Sequence, residues 1–382
     1  MRISLISAAL VASLVGYGST IALVLAAASA LGATEAHTAS WVLAICLIKA
    51  AGSAGLSLWT RVPVVLAWST PGAALIAATH GIAMAEAVGA FVITGLLIAL
   101  TGAFGPLGRL VARIPDGIAG AMLAGVLLPF CLKGATAALA LGGVALPMLA
   151  VFALVRLRSP ALAVLAALAT GVATAYGTGT AVLPALSLPL PHLTFIPPDF
   201  RADVLMGLAL PLYLVTMASQ NLPGFATLRA RGYTAPVRPA LITTGGLSAL
   251  GGLFGAHTIS MAAITAALCL GDEVHPDRDQ RWKVGLVYGA IWVALGLLSP
   301  VILTLIAALP QPLVTAVVGL ALLGPLMGAL TQSFATPDSR FAATVTLVVT
   351  GSGLIAFGIG AAFWGLLAGL AVHVMSRVKM SI

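Results

Sequence analysis

The stretch from Arg61 to His80, RVPVVLAWSTPGAALIAATH, limits the fold more than any other part of the chain. Val62–Trp68 is a strand-like run. Ser69-Thr70 then offers a helix cap, and Pro71 suits the first helical position, where the N–H it lacks would have no partner anyway. The pattern predicts a short apolar helix from Gly72 to about Ala78. Long apolar segments flank this stretch, so it reads as a membrane crossing broken near its middle. Lipid tolerates non-helical backbone only where protein or a water-filled cavity covers it. Half-helices of this kind present bare N–H groups and a positive dipole end to an anion. A Pro-kinked helix with no ligand is the plainer reading of the same residues.

Composition explains why the flanks must be in lipid. Of 382 residues, 60% are hydrophobic and 7% charged, with a mean hydropathy of +1.13. Soluble domains carry about 25% charged residues. At about 20 residues per crossing, roughly 14 crossings use about 280 residues and leave room only for short loops. The reading is an all-α integral membrane protein with spans near 4–31, 39–60, 62–80, 85–104, 114–132, 136–155, 160–182, 202–222, 237–254, 257–270, 284–307, 311–330, 340–358 and 360–376. Ala28-Ser29-Ala30 imitates a signal-peptide cleavage site, but the apolar run before it is too long for one, so the first span is expected to stay. The Pro-rich connection Leu183–Phe200 joins two halves.

With the N-terminus inside and the spans alternating, Lys133 and Arg201 fall outside and Lys49 falls within a span. The remaining fifteen of the eighteen Lys and Arg residues fall inside. Positive residues concentrate in cytoplasmic loops, so the asymmetry supports an even span count with both termini cytoplasmic. It also accounts for the net charge of +8 without nucleic acid.

The halves resemble each other. Ile114–Leu128 runs parallel to Leu309–Leu323, and Trp68–Ala74 to His257–Ala263, at separations of 195 and 189 residues. Seven spans per half require the second half to insert upside down. Such inverted repeats are typical of secondary transporters, with sites near the midplane at the repeat interface. A second broken crossing follows, at the tenth span. Gly251–Ala256 is a glycine-rich approach, and His257-Thr258-Ile259-Ser260 is expected to open a short helix ending near Gly271. Each half-helix is preceded by a short strand.

Four stretches carry a resemblance: GYGSTIALVLAA (16–27), PVVLAWSTPGAAL (63–75), MASQNLPGFATLRARGY (217–233) and GGLFGAHTISMAAITAALCLG (251–271). Through them the chain resembles the benzoate/proton symporter family of bacterial inner membranes. That family belongs with the uracil-permease-like and anion-exchanger-like transporters. The resemblance implies two inverted seven-span repeats. It implies a core domain of residues 1–104 and 202–307, a gate domain of 105–182 and 308–382, and a connection over 183–201. It implies import of benzoate or a related aromatic carboxylate with a proton, in a chain that can form a homodimer. Nucleobase permeases carry carboxylates on the eighth and tenth spans. Here the matching positions read Ser219-Gln220-Asn221-Leu222-Pro223-Gly224 and His257. A buried carboxylate would repel an anionic substrate strongly at low dielectric. Transport of another small anion or a nucleobase, and channel-like anion conduction, are the alternatives.

The candidate substrate-binding residues are Tyr17, Ser19, Trp68, Ser69, Thr70, Gln220, Asn221, His257, Thr258 and Ser260. Gln220 and Asn221 sit mid-membrane before Pro223, where amides need partners in a helix interface or a cavity. Tyr17, Ser19 and Thr20 lie in GYGST, a segment that close helix packing explains equally well. Trp68 suits stacking on an aromatic ring, or packing. Thr258 and Ser260 suit capping or ligand contact. His257 and Lys49 are the proton-coupling candidates. His257 changes charge near neutral pH, or stays neutral and bonds locally. Lys49 is an intramembrane charge, functional by default unless paired structurally.

Asp116 and Glu86 read as interfacial, and the acidic and basic residues over 272–283 as a solvated, salt-bridged loop. Cys46, Cys131 and Cys269 show no metal or redox spacing and read as packing residues. No metal or cofactor is expected. The chain has no GxxxxGK[ST] loop, so neither an enzyme nor an ATP-driven pump is indicated. Gly177-Thr178-Gly179 and Gly351-Ser352-Gly353 read as packing glycines inside spans.

Overall fold

The computed structural model describes residues 3–106, 114–185, 190–262 and 264–380. Arg2, Arg109, Arg113 and Ala263, used above in the charge count and the repeat, lie outside the described residues.

The chain is mostly helical. In order it forms α1 (Ile3–Gly18), α2 (Ile21–Ala30), α3 (Glu35–Thr60), β1 (Leu66–Trp68), α4 (Thr70–Ala77), α5 (Met84–Ala103), α6 (Asp116–Ala140), α7 (Ala145–Arg156) and α8 (Pro160–Gly177). The second half supplies α9 (Ala202–Ala230), α10 (Val237–Gly252), β2 (Ile259–Met261), α11 (Ile264–Ala267), α12 (Lys283–Leu297) and α13 (Ser299–Ala307). It ends with α14 (Gln311–Phe334), α15 (Arg340–Gly351), the hairpin β3 (Ile355–Ala356) and β4 (Ile359–Gly360), and α16 (Ala361–Met380). Among the described residues six helical segments are long and apolar enough to cross a membrane unaided, and α12 with α13 makes a seventh bent by 57°. The other apolar segments are shorter or interrupted.

Packing follows the small residues. Gly95 of α5 meets the backbone of Gly245 and Ala249 on α10, so these two helices touch backbone to backbone. Gly134 of α6 meets Gly319 of α14 in the same way. Gly285 and Gly289 of α12 abut Ser57 and Ala50 of α3. In lipid, where apolar side chains gain nothing by hiding from one another, such close approach and its dispersion contacts are what hold helices together.

Two expectations need correction and one is refined. The first span, Ile3–Ala30, holds two helices, α1 and α2, that meet at Ser19-Thr20 within the GYGST segment. The run His257–Ser260 does not open a helix: Ile259–Met261 is a strand, and the helix begins only at Ile264. The cause is non-local, since β2 pairs antiparallel with β1 in the register Leu66 to Met261, Ala67 to Ser260 and Trp68 to Ile259. Finally, the Gly-Thr-Gly and Gly-Ser-Gly triplets end α8 and α15 rather than sitting inside spans. Gly179 and Gly353 adopt φ of 71° and 69°, a left-handed conformation that glycine takes without steric cost.

Candidate substrate site

The strand and capped helix of residues 66–77 form almost as the sequence dictates. Ser69 caps α4, its Oγ accepting from Gly72 N at 3.1 Å, with Pro71 in the second helical position. An α-helix leaves its first N–H groups without intrahelical partners. Here Pro71 has none and Ser69 occupies that of Gly72, so Thr70 N–H is the donor left at this tip. The expected row of bare N–H groups therefore reduces to one, with the half-buried Thr70 hydroxyl beside it.

The two strands meet deep in the fold, and their backbone groups are satisfied by side chains from every side, as a spanning segment requires. Ser53 Oγ accepts from Leu66 N at 3.2 Å and Ser57 Oγ from Val64 N at 3.0 Å, both serines lying on α3. Tyr288 Oη donates to Leu66 O at 2.9 Å. On the β2 side Ser248 Oγ accepts from Ile259 N at 2.9 Å, and Asn221 Oδ1 accepts from Met261 N at 3.0 Å. At the junction Ser69 N donates to Thr258 O at 2.9 Å. Thr216 Oγ1 lies 3.0 Å from both Ser69 Oγ and Thr258 Oγ1, so a hydroxyl trio joins α9 to the start of α4 and to the segment before β2.

Asn221 closes a π-helical segment, Met217–Asn221, one of two in α9. Such wide turns free backbone and re-aim side chains, and they recur at functional sites. Gly224 just beyond lets α9 approach β2: a Cβ there would lie 2.4 Å from Met261 Cβ.

His257 is fully buried. Trp41 Nε1 donates to its Nδ1 at 3.0 Å, and its Nε2 lies 3.2 Å from Ser69 O. An indole nitrogen only donates and a carbonyl only accepts. Together they fix the neutral ring with its proton on Nε2, which is the local-bonding alternative given above.

Tyr17, Trp68 and Lys49 converge on an aromatic cluster. The Trp68 ring centroid lies 5.7 Å from Tyr17 and 5.1 Å, edge to face, from Trp292. Trp68 Nε1 donates to Thr20 Oγ1 at 2.7 Å, which ties the cluster to the break between α1 and α2. Lys49 Nζ lies 3.1 Å from the centroid of the Trp292 ring, 5.0 Å from that of Trp68 and 5.3 Å from that of Tyr288.

Three candidates have side chains that stand apart from these contacts. Ser19 Oγ bonds back to Val15 O within α1. Gln220 is half-buried, and its amide makes no hydrogen bond among the described residues. Ser260 Oγ makes only a 3.5 Å contact to Ala67 O. Sequence reasoning missed Trp41, Thr216, Ser248, Tyr288 and Trp292. For Tyr288 and Trp292 a signal existed: they are four residues apart, on one face of an apolar helix.

Two cavities lie nearby, away from the junction. One of about 880 Å³ is lined by α2, α3, α13 and α14, with Glu35 and Lys133 at its wall. A second, of about 280 Å³, lies between the end of α4, α6 and the β3–β4 hairpin. Both include Ala77, Phe130 and Lys133.

The sequence matches the profile of BenE, described as benzoate membrane transport protein, over residues 1–375. It is 41% identical over 369 residues to the inner membrane protein YdcO of Escherichia coli K12, covering 96% of this chain and 94% of that one. It is 33% identical over 376 residues to the benzoate membrane transport protein of Acinetobacter baylyi, covering 98% and 95%. In fold it resembles the transmembrane domain of the cyanobacterial bicarbonate transporter BicA, with a TM-score of 0.59, 13% identity and 98% of both chains covered. It likewise resembles SLC26A9, with a TM-score of 0.64, 13% identity, and 98% of this chain and 66% of that one covered.

Proposed function

The chain belongs to the BenE family of benzoate membrane transport proteins, and from that premise we propose that it imports benzoate, or a closely related aromatic carboxylate, with a proton across the bacterial inner membrane. The observation that carries the reading is the paired β1–β2 junction. It is buried, lined by hydroxyls, an amide and aromatic rings, and free of carboxylates among the described residues. Neutral donors and ring faces suit an aromatic anion, whereas a neutral base would call for acidic partners.

In this reading fourteen crossings form two inverted repeats of seven, with both termini cytoplasmic. A core (1–104 with 202–307) moves against a gate (105–182 with 308–382), and 183–201 joins the repeats. Trp68, Ser69, Thr70, Thr258 and Ser260 line the site from the two broken crossings. Tyr17 faces it from α1, Ser19 from the break after α1, and Gln220 and Asn221 from α9. Thr70 N–H and its hydroxyl are the polar contacts α4 has free to offer, and Gln220 is the amide not committed elsewhere. Of the two proton-coupling candidates, His257 is held by Trp41 and Ser69, which leaves Lys49 to carry the proton.

The test is uptake of radiolabelled benzoate by proteoliposomes. An inside-alkaline gradient should accelerate it several-fold over no gradient, and collapse of the gradient by an ionophore should abolish the stimulation. Uptake indifferent to the gradient removes proton coupling. A preference for uracil or bicarbonate over benzoate removes the substrate assignment.

A further inference from the structure

Lys49 is the charge that this fold leaves unbalanced. It lies in the middle of α3, about 21 Å along the axis from Glu35 and about 17 Å from Thr60 at 1.5 Å per residue. It is fully buried. The chain has ten carboxylates, and all lie in the first turns of α3, α5, α6 and α9 or in short turns and loops. Among the described residues none pairs with Lys49; the ion pairs are Arg201 with Glu86 and Asp203, and Arg281 with Asp272.

What surrounds the ammonium is aromatic. It sits on the face of Trp292, with the Trp68 and Tyr288 rings on its flanks. Ring faces attract a cation, best of all tryptophan, but they replace only part of the hydration that an ammonium loses on burial. Two more donors in the cluster are also uncommitted. Tyr17 Oη and Trp292 Nε1 are buried, and neither has a hydrogen-bond partner among the described residues. Buried polar groups of this kind are rare in native folds unless they serve a ligand, an ion or water. Gly16 packs beside them, and a Cβ there would make ordinary contact with Trp292 Cζ2 at 3.6 Å and Lys49 Nζ at 3.8 Å.

Resting on the functional reading above, we propose that Lys49, Tyr17 and Trp292 form the subsite that recognises an aromatic monocarboxylate. The Lys49 ammonium and the substrate's ring compete for one face of Trp292. The substrate's carboxylate draws the ammonium off that face, and its ring stacks on the indole in the ammonium's place, edge-on to Trp68. Tyr17 Oη–H is the further donor to the carboxylate oxygens. The subsite thus demands both parts of the substrate. A neutral aromatic amide has the ring but cannot move the cation, and an aliphatic acid moves the cation but leaves the indole face uncovered. Because only the protonated lysine attracts the anion, carboxylate binding at this residue requires the proton.

Equilibrium binding of radiolabelled benzoate to the full-length protein in detergent, with benzamide and acetate as competitors, tests this. The wild type should bind benzoate and prefer it strongly over both competitors. Lys49→Gln should weaken benzoate at least ~30-fold, since removing one partner of a buried charge pair costs about 2 kcal/mol or more at 1.4 kcal/mol per tenfold. It should also erase the preference over benzamide, while Lys49→Arg keeps that preference. Tyr17→Phe, which keeps the ring but loses Oη–H, should weaken benzoate roughly tenfold at unchanged preference for an aromatic over an aliphatic acid. Wild-type benzoate affinity in monodisperse Lys49→Gln, or an unchanged preference over benzamide, overturns the subsite and leaves the transport reading standing. No benzoate binding by the wild type overturns that reading and the subsite with it.

Discussion

Replacing His257 with phenylalanine tests the latch that joins the two broken crossings. Phenylalanine keeps a ring in the cluster of Trp41 and Phe91, whose centroids lie 5.4 Å apart, and removes both nitrogens. Two groups then lose their partners, Trp41 Nε1–H and Ser69 C=O. Both residues are fully buried, so water does not reach them. Each orphaned group costs about 1–3 kcal/mol, which puts the single variant about 2–6 kcal/mol below wild type. Adding Trp41→Phe removes one orphan, so the double variant should lose less than the two single losses combined. The expected coupling is about 1–3 kcal/mol, well above the ~0.5 kcal/mol scatter of independent sites. Equilibrium unfolding of the purified protein in mixed micelles, read by circular dichroism, supplies the four free energies. Additive losses would show that the bond between Trp41 and His257 is not made, and the assignment of the proton to Lys49 would lose its basis. Proton-coupled uptake that survives in His257→Phe would support that assignment directly.

Three further predictions concern the same junction. Asn221→Ala orphans Met261 N–H and should cost about 1–3 kcal/mol of stability, visible in the same unfolding assay, together with loss of benzoate uptake as β2 slips. Gly224→Ala pushes a methyl into Met261 Cβ at 2.4 Å; overpacking of this kind costs about 1–3 kcal/mol, and uptake should fall even where the protein purifies normally. Arg201→Ala, by contrast, removes an exposed pair of bridges to Glu86 and Asp203. Exposed ion pairs are worth about 0–1 kcal/mol, so stability and uptake should stay close to wild type.

The first broken crossing was legible because its signals are local. Ser69, Pro71 and the apolar run after them specify a capped short helix whatever surrounds it, and the structure moves the start by two residues. The second was legible only as an interruption. His257–Ser260 carries the same capping residue types, but β1 is waiting as a partner strand, and pairing between residues 66–68 and 259–261, far apart in sequence, outweighs a local cap. The break between α1 and α2 was hidden because Ser19 and Thr20 read equally as small packing residues. The aromatic surround of Lys49 draws on residues 17, 68, 288 and 292, and no local window contains it. What the sequence did carry there was the anomaly itself, a lysine deep within a span with no acid on any neighbouring turn.

A structure determined with benzoate bound would probe the central claim most directly, that the buried junction of the two broken crossings holds an aromatic carboxylate. The account predicts ligand density between the start of α4 and the Trp68–Trp292 cluster, with the carboxylate within hydrogen-bond distance of Lys49 Nζ and the strands still paired. Density confined to either cavity beside Lys133, with Lys49 still seated on Trp292, would contradict it.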